Sequence, residues 1–295
     1  GGVNTRRADG TMSEPTPADH RSKKFGASAR AFVKGADDCA QQRVAAQMKN
    51  RSLAHAVDYL LNVGDNFYWA GITAGCGAAP TSHVDTGQWG ATYEAIYDGP
   101  GLKGKQWLGV LGNHDYGGYS FTQGWDQVIG YTWGGQASTG RWMTPAQYWS
   151  SRVHYPGFSV EYFFVDSNVH DALSPYVDPT HNICSRDKNP EKATCGVQGP
   201  ANVWECPGWF GRLWAEELVW LEKGLGKSEA EWQVVVTHFP PEFGYEEWLY
   251  LAVTYGIDLF VSGHRHLQQV FGPEHPGNVF RPTAYIISGG GGGIT

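Results

Sequence analysis

The chain has 295 residues, enough for one large α/β domain, and 41% of them are hydrophobic, enough to bury a sizeable interior. Only 17% are charged, which argues against a largely disordered chain; 22 Lys and Arg against 29 Asp and Glu leave a net charge of −7, a poor match to non-specific nucleic-acid binding. No apolar run reaches the length needed to span a bilayer, so no membrane partner is expected.

Residues 1–30 are polar, carry Pro15 and Pro17 and show no apolar period, so they are expected to be disordered ahead of one domain over 31–295. From Phe32 onward short apolar runs alternate with helical stretches and glycine-rich loops. Helices are predicted over 40–55, 89–97, 210–223 and 245–255; in the third, Trp214, Leu218 and Leu221 fall on one face. Strands are predicted over 57–63, 106–111, 159–165, 232–237, 257–262 and 284–288. Most are continuous apolar runs, as suits strands covered on both faces, and their alternation with helices points to a layered α/β fold. The stretches 119–155 and 181–207 are expected to form loops around the mouth of a site. Cys184, Cys195 and Cys206 crowd the second of these, where a disulfide would suit a secreted protein; with Cys39 and Cys76 the count is five, so at least one thiol has no partner within the chain. The 13 tryptophans read as packing residues, and the glycine run 289–293 lacks the Gly-Lys-Ser/Thr of a nucleotide loop.

Four predicted strands run straight into polar clusters. The strand over 57–63 ends in Gly64-Asp65-Asn66-Phe67-Tyr68, and that over 106–111 in Gly112-Asn113-His114-Asp115. The strand over 232–237 ends in His238-Phe239-Pro240-Pro241, and that over 257–262 in Gly263-His264-Arg265-His266. Ligands of open α/β sheets bind beyond the carboxyl ends of strands, so these side chains can gather in one place. Oxygen and imidazole donors without thiolate suit iron, zinc or manganese. A carboxylate such as Asp65 can bridge two ions, and two cations clamp a phosphoryl group and acidify water for attack on it. Each fragment alone has a plainer reading. Asn-His-Asp can cap its own turn, a histidine at a strand end can be a hydrogen-bonded core residue, and Tyr68 can simply pack beside Phe67 and Trp69. The weight lies in four such fragments in order.

The ordered set resembles the motifs of the calcineurin-like metallophosphoesterases. Gly64-Asp65-Asn66-Phe67-Tyr68, with its tyrosine, and Phe239-Pro240 after the histidine resemble the purple acid phosphatases, most closely their small tartrate-resistant type. The resemblance implies an α/β four-layer αββα sandwich of two mixed β-sheets flanked by helices. It implies an acid phosphatase acting on small phosphorylated substrates, without nucleic-acid or membrane partners, as a monomer in a secreted or vacuolar and lysosomal setting. Two metal ions are implied, Fe(III) beside Fe(II), Zn(II) or Mn(II). Asp65 would bridge them; Tyr68 and His266 would bind Fe(III), and Asn113, His238 and His264 the divalent ion. His114 would contact the substrate phosphate or help protonate the leaving group. The family also carries an earlier aspartate in a Gly-Asp-x-Gly context as a ferric ligand. Here the stretch reads Gly35-Ala36-Asp37-Asp38-Cys39, so Asp37 falls on the ligand position with neither glycine in place. Asp38 is an alternative, and both can instead cap the helix that begins near Ala40. A phosphodiesterase on the same scaffold, or a pseudophosphatase whose first metal site has decayed, are the competing expectations.

Overall fold

The computed structural model describes residues 39–78, 87–134, 138–177 and 182–291. The 1–30 segment lies outside the described residues, as do Asp37 and Asp38. In chain order the elements are α1 (Ala40–His55), β1 (Tyr59–Asn62), a π-helical turn (Trp89–Glu94), β2 (Gln106–Gly109), α2 (Asn113–Tyr116), α3 (Trp125–Thr132), β3 (Trp142–Met143), β4 (Trp149–Tyr155) and β5 (Phe158–Val165). A 3₁₀ turn (Asn168–Asp171), α4 (Cys206–Leu225), β6 (Trp232–Thr237), α5 (Tyr245–Tyr255), β7 (Leu259–Ser262), β8 (Gln268–Phe271) and β9 (Ala284–Ser288) follow.

Nine described strands form two sheets. The smaller runs β1-β2-β3, parallel throughout; the larger runs β4-β5-β6-β7-β9-β8 and is mixed, with β4 and β8 antiparallel at its edges. The period of two along each strand divides the core into layers. Leu108, Val160, Phe164, Val234, Val236 and Val261 lie between the sheets. The alternate residues Phe163, Val235 and Phe260 face outward and pack with Leu221 and Leu225 of α4 and Trp248 and Leu251 of α5. Leu60, Trp107 and Trp142 face the other way, toward Ala45 and Met48 of α1 and the aromatic turn of Trp89 and Tyr93. The result is the expected αββα sandwich.

The structure corrects the reading of 119–155 as loop. That stretch holds α3, β3 and β4; Ser150, Ser151 and Arg152 interrupt the apolar run of β4, which needs cover on one face only because it is an edge strand. The helix predicted over 89–97 is a six-residue π turn, and α4 starts earlier than predicted, with Pro207 tolerated in its first turn. The 182–205 stretch is irregular and clipped by two disulfides, Cys184–Cys206 and Cys76–Cys195, leaving Cys39 free. No described helix is long and apolar enough to cross a membrane.

Candidate metal centre

β1 and β2 are parallel neighbours, as are β6 and β7, so each pair delivers its following loop to the same end of its sheet. At the exit of β1 the chain turns sharply: Gly64 has φ +87° and Asp65 φ +60°, both in the left-handed region. A Cβ on Gly64 would sit 2.6 Å from the Gly112 amide and 2.9 Å from His238 Nδ1, so only glycine lets the three strand exits close on each other. Phe67 anchors the loop from below; it is buried, and its ring meets Trp89 edge-on at 4.7 Å. Asp115 ties the first two exits together. Its carboxylate accepts the amides of Asp65, Asn66 and Gly112 and the side chain of Asn66.

The two oxygens of Asp65 serve different neighbours. Oδ1 accepts the His114 amide at 2.9 Å and lies 3.4 Å from His238 Nε2; Oδ2 accepts the Tyr68 hydroxyl at 2.7 Å. Beyond Tyr68, its hydroxyl lies 3.0 Å from His266 Nε2. On the other side His238 Nε2 lies 3.0 Å from Asn113 Oδ1, and the His264 ring stands 5.3 Å from that of His238. His264 itself adopts φ +58° on the turn after β7. The structure thus brings together Asp65, Tyr68, Asn113, His114, His238, His264 and His266; Asp37 lies outside the described residues. A cavity of about 560 Å³ borders Asp65, Tyr68, Trp69, His238, His264 and His266.

Protonation follows from these contacts. Burial drives charge off His238, which stays neutral below its ordinary value. Its Nδ1 lies 2.7 Å from the carbonyl of Val63, which can only accept, so the proton sits on Nδ1 and Nε2 carries a lone pair. Burial alone would raise the Asp65 carboxyl; positive charge on the neighbouring histidines when they are protonated, with the Tyr68 hydroxyl and the His114 amide as donors, pulls it the other way, below the ordinary carboxylate range. Burial, then the Asp65 charge, push the Tyr68 phenol well up, so it stands as a donor. The Asn113 amide donates from Nδ2 to Asp171 Oδ2 at 3.0 Å, which turns Oδ1 toward His238.

Three lone-pair-bearing atoms, Asp65 Oδ1, Asn113 Oδ1 and His238 Nε2, therefore converge with no proton between the last two. That is an uncompensated arrangement in a protein interior and the one a cation completes. Among the described residues no three His, Cys, Asp or Glu side chains gather closely enough to hold an ion by themselves; the further oxygen donors beside them are the Asn113 amide and the Tyr68 phenol. Neutral oxygen, imidazole and carboxylate donors fit a divalent ion on one side of Asp65, and a phenol beside the other carboxylate oxygen fits a harder ion.

Asp115 and Asp171 matter to this geometry without having been chosen as candidates in the sequence. Asp115 stands inside the Gly-Asn-His-Asp fragment, which is a usable signal, whereas Asp171 closes the 168–171 turn well past β5 and carries none.

The family model described as calcineurin-like phosphoesterase matches residues 38–268. Tartrate-resistant acid phosphatase type 5 of the rabbit, Oryctolagus cuniculus, is 24% identical over 247 residues, covering 79% of this chain and 61% of that protein. Purple acid phosphatase 7 of Arabidopsis thaliana is 27% identical over 244 residues, covering 80% and 60%. The chain therefore spans about three-fifths of the length of these relatives. A solved structure described as GAP50, the anchor in the inner membrane complex of Plasmodium, shares the fold with a TM-score of 0.60 at 17% identity, over 87% of this chain and 69% of that one. The chain belongs to the calcineurin-like phosphoesterase family, with purple and tartrate-resistant acid phosphatases among its relatives.

Proposed function

We propose that the chain hydrolyses phosphomonoesters at a dinuclear metal centre, as an acid phosphatase acting on small phosphorylated substrates. The observation that carries the reading is the division of the Asp65 carboxylate, one oxygen toward Asn113 and His238 and the other toward Tyr68 and His266. In this reading Asn113, His238 and His264 hold Fe(II), Zn(II) or Mn(II), Tyr68 and His266 hold Fe(III) with Asp37, and Asp65 joins the two. Two such cations supply Lewis acidity, clamping the phosphoryl oxygens and acidifying water.

The chain's own residues do the rest. Nδ1 of His114 lies 2.6 Å from the carbonyl of Trp69, which can only accept, so Nε2 is the nitrogen available to substrate. From there it would pass a proton to the leaving oxygen. Its ring packs on Tyr68 with centroids 4.2 Å apart, which fixes its plane. Phe239, 4.1 Å from His264 between ring centroids, shields that histidine on one side. Two disulfides support a secreted or lumenal setting.

The test is metal content of the purified protein beside hydrolysis of an aryl phosphate and the matching diester. Two metals per chain with faster monoester turnover is the expected result. Preference for the diester would favour the phosphodiesterase reading. Lost iron binding without catalysis would favour the pseudophosphatase, a reading motivated by Ala36 and Cys39 flanking the Asp37-Asp38 pair where the family carries glycines. Asp37→Asn separates the two roles of that residue: a ligand loses iron and activity together, whereas a cap is nearly silent because Asn caps about as well as Asp.

A further inference from the structure

The segment 166–171, which follows β5, touches the exits of β2, in the smaller sheet, and of β6, its neighbour in the larger. Asp166 Oδ2 accepts the Tyr116 hydroxyl at 2.7 Å, and Asn168 Nδ2 donates to the Leu111 carbonyl at 3.0 Å. Ser167 Oγ accepts the Phe239 amide at 2.9 Å, next to His238. Asp171 Oδ2 accepts Asn113 Nδ2 at 3.0 Å. The β2 exit is thus gripped before, at and after Asn113, and the β6 exit immediately after His238. All four gripping residues are buried, Asp171 at 4% exposure.

Asp171 has a specific consequence for the site. Asp171 Oδ2 takes the NH₂ of Asn113 as an acceptor, so the amide oxygen faces the other way, toward His238 Nε2. Without Asp171 the two flips of the amide are no longer distinguished on that side. The flipped amide would donate to the His238 Nε2 lone pair, an ordinary hydrogen bond. That flip removes the oxygen donor from the cleft and closes the lone pair of His238 at the same time.

We propose that Asp171 is a positioning residue that locks the Asn113 amide with its oxygen toward the metal cleft, with 166–171 as the rigid frame that carries it. The proposal rests on the reading of Asn113 and His238 as ligands of the divalent ion. Asp171 touches neither substrate nor reacting atoms; it acts through Asn113.

The test is Mn(II) affinity of the purified full chain by equilibrium dialysis, with circular dichroism to check folding. Asp171→Ala is expected to weaken Mn(II) binding by about 10–100-fold, the usual cost of removing a ligand's outer partner. Asp171→Ala combined with Asn113→Asp should recover most of it, because a carboxylate offers oxygen in either orientation. If the alanine variant does not fold, Asp171→Ser and its combination with Asn113→Asp provide the same comparison. Unchanged affinity in Asp171→Ala overturns the positioning role and leaves the metal reading intact. No recovery with Asn113→Asp overturns it too, because amide orientation would then not be responsible. A wild-type chain that takes up no Mn(II) overturns both readings.

Discussion

His238 has lost the option of acting as a base through Nδ1, because that nitrogen's proton is committed to Val63, and burial keeps the ring neutral. What remains is a lone pair on Nε2 aimed at two oxygens, which is the state of an imidazole prepared for a metal. His238→Ala should therefore lower phosphatase turnover by more than the roughly 10–100-fold typical of a ligand's outer partner, while far-ultraviolet circular dichroism stays unchanged. Near-normal turnover in that variant would sink the assignment. Tyr68 offers a spectroscopic test. Its phenol is pushed up by burial and by Asp65, so only a strongly charged neighbour can ionise it. Loaded with iron and oxidised, the wild-type protein should absorb in the visible through phenolate-to-metal charge transfer, and Tyr68→Phe should abolish the band. An iron-loaded wild type that is colourless would leave Tyr68 as a packing residue against His114. At this scale the sequence was legible where a donor directly follows a buried strand, as Asp65, Asn113 and His238 do. Asp171 was not, because it lies six residues past β5, inside the 168–171 turn, and reveals its role only through the amide it turns.

The strands that position the site were readable because β5, β6 and β7 are covered on both faces, so their runs FSVEYFFV, WQVVVT and LFVS are mainly apolar. β4 and β8 were missed for the converse reason. Both lie at sheet edges, and WSSRVHY and QQVF carry polar residues where one face meets water. The disulfides show the same division. A bond within the 184–206 cluster was expected and Cys184–Cys206 supplies it, closing 22 residues; Cys195 instead reaches Cys76 across 119 residues, a pairing that no local spacing encodes. Loop closure gives the two different weights. The chain-entropy relation assigns about 3 kcal/mol to the short loop and about 5 kcal/mol to the long one. Replacing Cys76 and Cys195 together by serine should thus lower stability more than replacing Cys184 and Cys206, as read from denaturant midpoints at equal slope. A larger loss from the short-loop pair would mean that the long bridge carries strain or that the unfolded chain stays compact.

Seen as a whole, the sandwich gathers its candidate metal ligands at the strand exits and also holds a set of buried carboxyls that the proposed chemistry does not use. Glu217 of α4 is fully buried, and its Oε1 accepts the amide of Asp166, whose own carboxylate takes the Tyr116 hydroxyl. Burial pushes Asp166 up to about 6, and burial together with the Asp166 charge pushes Glu217 well above the ordinary carboxyl range. The folded state therefore holds protons that the unfolded chain releases. For an acid whose folded pKa is raised, stability is fully present below the unfolded value and is lost as pH rises through the folded one. This pair accordingly favours the fold in acid, the range in which the proposed phosphatase would work. Burial of His170, lowered to about 4, and of His238 acts in the opposite sense, because the unfolded chain takes up their protons as pH falls. Net stability against pH mixes the two and cannot isolate Glu217, but a variant can. Glu217→Gln keeps an oxygen for the Asp166 amide and removes the titration, leaving the histidines as they are. Its melting temperature relative to wild type should be nearly unchanged at pH 5 and should rise progressively toward pH 8, because only the wild-type side chain has to hold a proton against an increasingly alkaline solvent. A stability difference that stays flat across that interval would show that Glu217 is already ionised in the fold, and would require a cation or a water to satisfy its second oxygen, which has no protein partner.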